Sequence, residues 1–263
     1  MDTSALDSFT FERAGARLFA VAAGDGPPVI LLHGGLSDHR GVWLYARPIA
    51  ERFRVIAPDL RGAGRSHDRG PLRWEQLADD VAALVAHLGL GRAVLGGASF
   101  GAGVAVAAAV RHPEIVTALV LLTPAFAGGE VGFTPAQRQA MEAMDAVGRR
   151  VVEEGVQLLH PLFAALPEPV QARARAMVDS FDPASVAATT RFLAEGGQPF
   201  ATGHDLEAID APVLVVPGTD PTHPREVAEI YRRRLRRCTV RDVEQPGWGQ
   251  AVVAFLDEHG LGG

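Results

Sequence analysis

The chain has 263 residues, of which 48% are hydrophobic and 21% are charged, and its formal net charge is −6. This composition is typical of a globular protein and excludes a mostly disordered chain. The negative net charge does not favour binding to nucleic acid or to an anionic membrane. The length allows one large α/β domain with an insertion.

The amino-terminal segment and the cysteine content suggest where the protein acts. Residues 1–15 have neither a basic flank nor an apolar run, so they do not predict a signal peptide. Apolar stretches are interrupted by Gly, Pro or charge before the roughly 18 residues that a membrane span needs. Cys238 is the single cysteine, which suits a reducing compartment. We therefore expect a cytoplasmic protein that acts on a small molecule, with no nucleic-acid or membrane partner.

The predicted strands begin with a hairpin formed by residues 9–13 and 17–22, which flank a short turn. Later apolar runs do not alternate with polar residues, and such runs are typical of parallel strands buried on both faces. These runs cover residues 28–33, 54–57, 93–96, 117–122, 212–216 and, with more polar character, 238–243.

Helical stretches separate these strands. In residues 74–88 the apolar positions Leu77, Val81, Leu84 and Leu88 share one face. Residues 101–110 are almost wholly Ala, Val and Gly, as expected of a helix packed in the middle of a domain. Alternating strands and helices predict an α/β fold with an open, doubly wound, mostly parallel sheet.

One segment breaks the alternation. Residues 128–204 contain no strand signal but two helix starts, Thr134-Pro135 and Asp182-Pro183, each with an N-cap residue before a proline. We expect a helical cap, or lid, at 128–204 and a core made of 1–127 and 205–263. Ordinary crossover helices are a weaker explanation, because a single crossover does not need so long a segment.

Gly97-Ala98-Ser99-Phe100-Gly101 matches the G-x-S-x-G motif. In that motif a sharp turn from strand to helix lifts the serine hydroxyl clear of the sheet, and its neighbours must be small. An apolar strand precedes the motif and a small-residue helix follows it, so we expect Ser99 at a nucleophile elbow.

With these features the chain resembles the α/β-hydrolase-fold superfamily over nearly its whole length. His33-Gly34-Gly35 is similar to the oxyanion loop of that superfamily, and the stretch 58–66, PDLRGAGRS, is similar to its P-D-x-R-G-x-G-x-S loop. The resemblance implies an oxyanion hole made by the N–H groups of Phe100 and Gly35. It also implies a cap with an apolar lining, for which the candidates are Leu158, Leu159, Leu162, Phe163 and Leu166; packing among the cap helices explains any one of them equally well.

The resemblance also implies a triad carboxylate after the strand at 212–216, where Asp220 is the candidate. An alternative for Asp220 is to organise the turn before Pro221. The general base is expected just after the last strand, but that stretch, residues 238–256, contains no histidine. Trp248 stands in this short loop, and an indole N–H cannot accept a proton.

The remaining histidines are therefore the alternatives for a general base. His223 is near Asp220 in the sequence, although His223-Pro224 also reads as an ordinary helix start. His33 is expected to be a structural group of the oxyanion loop. Further candidates for the base are His39 and His67, which lie in predicted loops, and His160 and His204, which lie in the predicted cap. In contrast, His87, His112 and His259 are expected to be solvated.

Three functions stay open at this point. The first is a serine hydrolase of a small, largely apolar ester, thioester or lactone, with Ser99, Asp220 and His223 as catalytic residues and an atypical triad. The second is a lyase, isomerase or cyclase that uses the oxyanion hole, and the third is a silent ligand-binding homologue. Metal-binding and nucleotide-binding motifs are missing from the sequence, so we expect no metal and no cofactor.

Overall fold

A computed structural model describes residues 6–66, 68, 70–164 and 168–262. Its centre is an eight-stranded sheet in the order β1-β2-β4-β3-β5-β6-β7-β8. The strands are β1 Asp7–Arg13, β2 Ala16–Ala23, β3 Pro28–Leu32, β4 Arg54–Pro58, β5 Ala93–Ala98, β6 Val116–Leu122, β7 Val213–Val216 and β8 Cys238–Val240.

The sheet is parallel from β4 to β8, and the hairpin β1–β2 joins it antiparallel through the β2–β4 pair. In β3, Ile30 and Leu32 belong to the apolar core on one face, whereas Val29 and Leu31 belong to the core on the other. All four side chains are fully buried. Burial on both faces explains why this strand has no polar alternation, and it confirms the predicted doubly wound sheet.

The helices lie between and beside the strands, and those predicted at 74–88, at 101–110, after Thr134 and after Asp182 are found there. Short helices α1 and α2, which the sequence did not predict, follow β3. The helices are α1 His39–Val42, α2 Arg47–Ala50, α3 Trp74–His87, α4 Phe100–Arg111, α5 Pro135–Glu154, α6 Glu168–Val178, α7 Pro183–Ala194, α8 Gly203–Glu207, α9 Arg225–Arg234 and α10 Trp248–Glu258.

The segment between β6 and β7 is helical, as the sequence predicts. Thr134 caps α5 by accepting from the backbone N–H of Gln137, and Asp182 caps α7 by accepting from Ser185. This segment has a small apolar cluster of its own, formed by Val151, Leu159, Val178 and Val186. Such a cluster fits a separate layer over the sheet; the domain boundaries at 128 and 204 stay a prediction.

The carboxyl-terminal part departs from the prediction in two details. β8 ends at Val240, earlier than the predicted 243, and Trp248 is the first residue of α10 rather than a loop residue. The indole N–H of Trp248 donates to the carbonyl of Val243, so this side chain ties the loop to the helix. Among the helices of the described residues, none is long and apolar enough to cross a membrane.

Candidate active site

Ser99 lies at the turn between β5 and α4, in a strained backbone conformation with φ +54° and ψ −113°. Glycines make this turn possible. A Cβ at Gly97 would lie 2.5 Å from the carbonyl carbon of Gly101, and one at Gly101 would lie 2.3 Å from the carbonyl oxygen of Leu32. The turn therefore packs backbone against backbone, and the partly exposed Ser99 projects beyond the strand ends.

The oxyanion loop after β3 runs beside this turn. A Cβ at Gly34 would lie 3.8 Å from Ser99 Cβ, and one at Gly35 would lie 3.9 Å from Phe100 Cβ. Phe100 opens α4, so its N–H belongs to the turn in which helical N–H groups have no intrahelical acceptor. The two expected oxyanion donors, Gly35 and Phe100, are thus neighbours of the serine.

His33 holds the oxyanion loop in place. The N–H of Leu60 donates to His33 Nε2 at 2.9 Å, so the ring hydrogen is assigned to Nδ1, which donates to the carbonyl of Gly34 at 2.7 Å. Burial lowers the pKa of His33, and the nearby Asp59 only partly opposes this. A neutral His33 therefore fixes the peptide before Gly35, which is the structural role that the sequence suggested.

His223 is the histidine that reaches the serine. Its Nε2 lies 2.7 Å from Ser99 Oγ, although the two residues are 124 positions apart. Its Nδ1 lies 2.9 Å from Asp220 Oδ2 and 3.0 Å from Asp220 Oδ1. An ionised carboxylate only accepts hydrogen bonds, so Nδ1 carries the hydrogen, and Nε2 is free to accept the hydroxyl proton of Ser99.

The loop between β7 and α9 holds His223 from several sides. Asp220 Oδ1 accepts from the backbone N–H groups of Thr222 and His223, at 2.8 and 3.0 Å. A Cβ at Gly218 would lie 2.3 Å from His223 Cβ, so only glycine leaves room for the base. Pro224 restricts the backbone of the residue before it. Asp220 therefore serves both the turn and the imidazole, which unites the two roles that the sequence left as alternatives.

The ionisation of Asp220 follows from its contacts. Burial acts to raise the pKa of Asp220, but the hydrogen bonds and charge of His223, with the N–H of Thr222, outweigh this and lower it below its ordinary value. The side chain is 56% exposed, against 19% for His223. Solvent therefore screens the support that this carboxylate gives to a positively charged imidazole.

The other histidines within the described residues bond elsewhere, and His67 lies outside those residues. Their partners are Asp59 for His39, Asp79 for His112, Asp179 for His160, Glu207 for His204 and the carbonyl of Phe255 for His259, while His87 stacks on Phe9. The proximity of His223 to Asp220 in the sequence was the signal that pointed to the histidine that contacts Ser99.

A cavity of about 460 Å³ opens beside the oxyanion loop and Ala98, the residue before Ser99. One wall is the oxyanion loop with Ala98, and another comes from the segment between β6 and β7 through Phe163 and Met177. Trp248 and Tyr45, whose rings meet edge to face at 5.5 Å, form a further wall. The lining is mainly apolar.

Of the five predicted lining residues only Phe163 is found there. Leu159 is fully buried in the cluster of its own segment, with Leu158 packed against it; Leu162 is 55% exposed, and Leu166 lies outside the described residues.

Asp38, His39 and Asp59 lie near one another and present enough ligand atoms for a metal ion. Their atoms are nevertheless engaged with other groups. Asp59 accepts from the N–H and Nδ1 of His39 and from the N–H of Arg65, and both oxygens of Asp38 accept from Arg40. These contacts make the cluster a hydrogen-bonded support for the loops around it.

Comparisons with known proteins show the family and the fold of this chain. The family model described as alpha/beta hydrolase fold matches residues 27–249. An esterase from Thermogutta terrifontis has the same overall structure, with a TM-score of 0.77 and 28% identity over 98% of this chain and 97% of that one. The enol-lactonase from Burkholderia xenovorans shares the fold at 22% identity, with a TM-score of 0.76 over 94% of this chain and 99% of that one.

Curated relatives match over part of the chain. Lipase LipV of Mycobacterium tuberculosis is 37% identical over 102 residues, which are 39% of this chain and 39% of that protein. The 2-(acetamidomethylene)succinate hydrolase of Mesorhizobium japonicum is 34% identical over 126 residues, 47% of this chain and 42% of that enzyme. An uncharacterized protein of M. tuberculosis is 37% identical over 43% of this chain, and the chain spans 32% of its length.

Proposed function

Because this chain belongs to the α/β-hydrolase fold family, we propose that it is a serine hydrolase that cleaves a small, largely apolar ester, thioester or lactone. The observation that carries the proposal is the 2.7 Å contact between His223 Nε2 and Ser99 Oγ, with Asp220 on the other ring nitrogen. The general base thus comes from the loop after β7 instead of the loop after β8.

In the first step Ser99 Oγ attacks the carbonyl carbon of the substrate while its proton passes to His223 Nε2. The negative charge that develops on the carbonyl oxygen is received by the N–H groups of Gly35 and Phe100. A preorganised oxyanion hole of this kind contributes about 10²–10³-fold for each donor. Asp220 keeps the ring oriented and stabilises the imidazolium without taking its proton.

In the second step the tetrahedral intermediate collapses, and His223 gives its proton to the leaving atom. This atom is the oxygen of the alcohol from an ester or lactone, or the sulfur of the thiol from a thioester. Water then repeats the sequence on the acyl-enzyme: His223 removes a proton from the water as the water oxygen attacks the acyl carbon. His223 returns that proton to Ser99 Oγ as the bond between Oγ and the acyl carbon breaks and the carboxylic acid leaves. The same imidazole therefore acts as base and acid in each half of the reaction.

The cavity supports the proposed substrate class. Its volume of about 460 Å³ and its mainly apolar lining suit a compact acyl or alcohol group, and the ester-cleaving and lactone-cleaving enzymes among the relatives agree with a carbonyl substrate. We further propose that residues 128–204 are a cap on the core 1–127 and 205–263, since Phe163 and Met177 of that segment line the same cavity as the oxyanion loop. The expected cytoplasmic location also stays a proposal.

The proposal is tested with a fluorophosphonate probe and a panel of p-nitrophenyl esters, an aryl thioester and a simple lactone. We expect a stable adduct on Ser99, identified by peptide mass spectrometry, and turnover of the short esters. Ser99→Ala abolishes labelling, and His223→Ala reduces both labelling and turnover by about 10⁴-fold or more.

The alternatives give different results in the same assays. A lyase, isomerase or cyclase that uses only the oxyanion donors would leave Ser99 unlabelled, and a silent homologue would turn over no ester in a Ser99-dependent way. Either result would contradict the proposal. The alignment of a base with the serine hydroxyl favours the hydrolase, because neither alternative uses that contact.

A further inference from the structure

Gln137, in the first turn of α5, has a fully buried side chain whose amide bonds to three backbone groups. Its Oε1 accepts from the N–H of Thr134 at 3.1 Å. Its Nε2 donates to the carbonyl of Ala125 at 2.7 Å and to the carbonyl of Thr222 at 3.1 Å. Two carbonyls need two donors and the N–H needs an acceptor, so the orientation of the amide is fixed by its partners.

These partners belong to two loops at the carboxyl edge of the sheet. Ala125 follows β6, and Thr222 lies in the loop after β7 that carries the base. The bond to Thr222 is the informative one, because its carbonyl belongs to the peptide that joins Thr222 to His223. The N–H of that same peptide donates to Asp220 Oδ1. The peptide is thus held on one side by Asp220 and on the other by Gln137.

The two side chains that hold this peptide, Gln137 and Asp220, differ in their exposure to solvent. Asp220 is 56% exposed, so water competes for its hydrogen bonds. Gln137 is fully buried, so water does not compete for its amide hydrogen bonds. The buried amide is therefore the firmer of the two anchors for the peptide before His223.

We propose that Gln137 is a positioning residue for the base: it acts through Thr222 to keep the His223 ring aligned with Ser99. This inference rests on the proposed function, in which His223 takes the proton of Ser99. Displacement of a catalytic group by about 1 Å costs roughly 10²-fold in rate. Helix α5 would thus contribute to catalysis although Gln137 does not line the cavity.

A matched pair of variants separates positioning from stability. Thr134→Ala removes the side-chain half of the capping box, in which Thr134 Oγ1 accepts from the N–H of Gln137, but leaves both Nε2 bonds in place. Gln137→Met removes the amide at nearly constant size. Gln137→Glu keeps an acceptor for the N–H of Thr134 and replaces the two donors with an oxygen, so it serves as the second variant if Gln137→Met does not fold.

The readouts are Tm and, at a temperature well below the transition, the rate constant of Ser99 labelling by the fluorophosphonate and kcat and KM for a short p-nitrophenyl ester. We expect both Gln137 variants to slow labelling and lower kcat by about 10- to 100-fold with KM nearly unchanged. For Thr134→Ala we expect a Tm lower by about 2–4 °C and labelling at the wild-type rate.

Three results would overturn the inference. The Gln137 variants could label at the wild-type rate, Thr134→Ala could slow labelling as much as they do, or the loss could fall on KM alone. Failure of the proposed function looks different, since in that case the wild-type protein itself shows no adduct on Ser99.

Discussion

The imidazole of His223 and the carboxylate of Asp220 are three residues apart in the chain and face each other at 2.9 Å. The same turn of backbone thus supplies both the proposed base and the carboxylate proposed to orient it. A turn can hold such a pair through local hydrogen bonds, and Asp220 Oδ1 makes two of them to the backbone. In the proposed mechanism, therefore, the loop after β8 needs no histidine.

Because Asp220 is exposed, we expect its charge to have a modest effect on kcat/KM. We expect Asp220→Asn to lower kcat/KM by about 10²-fold, less than the roughly 10⁴-fold loss for a buried triad aspartate, since solvent screens this carboxylate. Asp220→Ala also removes the acceptor for the backbone of the turn and costs more. The measurement is kcat/KM for one ester in all three proteins; wild-type kcat/KM in Asp220→Asn would show that the charge itself contributes nothing.

Gly218 leaves the space that His223 occupies. A new Cβ in Gly218→Ala would lie 2.3 Å from His223 Cβ and 2.4 Å from the carbonyl oxygen of His223, so the loop between β7 and α9 must move. We expect kcat/KM to fall by about 10²-fold or more. Gly197→Ala is the control, since its Cβ would meet Trp74 Nε1 at an ordinary 3.4 Å. Wild-type activity in Gly218→Ala would contradict the assigned position of His223.

Asp59 makes stability depend on pH. Burial acts to raise its pKa, but hydrogen bonding and charge from His39, with contributions from His33 and Arg65, lower it below the ordinary value. A carboxylate whose pKa is lower in the folded than in the unfolded state stabilises the fold at pH values above its unfolded pKa of about 4. This contribution is lost as the pH falls through the lower pKa of the folded state.

The expected result for Asp59→Asn is a free energy of unfolding about 2 kcal/mol below wild type at pH 7. The difference should shrink as the pH is lowered from about 4. Urea titrations across this range measure it, and Asp25→Asn, at an exposed site, is the control that should match wild type throughout. A difference that stays constant down to acid pH would exclude this ionisation as the cause.

Tyr45 has a buried hydroxyl that bonds to no group of the described residues. Burial also raises its pKa. We expect Tyr45→Phe to leave the free energy of unfolding unchanged or to raise it by about 1 kcal/mol, because an unpaired polar group is removed and the ring contact with Trp248 stays. Thermal unfolding measures this, and a clear loss of stability would reveal a hydrogen bond of the hydroxyl.

Much of the fold could be predicted because its signals are local. Val29, Ile30, Leu31 and Leu32 are buried on alternate faces of the sheet, and an unbroken apolar run carries that information. Capping residues such as Thr134 act within one helical turn, so they also appear in the sequence. The short helices α1 and α2 were missed since each contains only 4 residues and too few positions to show a period.

The sequence by itself determined the strand-to-helix turn at Ser99 and the pair Asp220 and His223 on one loop, because these features depend on neighbours in the chain. Only the tertiary structure decided that His223 reaches Ser99. That contact spans 124 positions and exists because β5, β6 and β7 are adjacent and parallel, which brings their carboxyl ends to one edge of the sheet. The distance between two such loop side chains is set by how the strands pack, and a linear pattern of residues does not encode it.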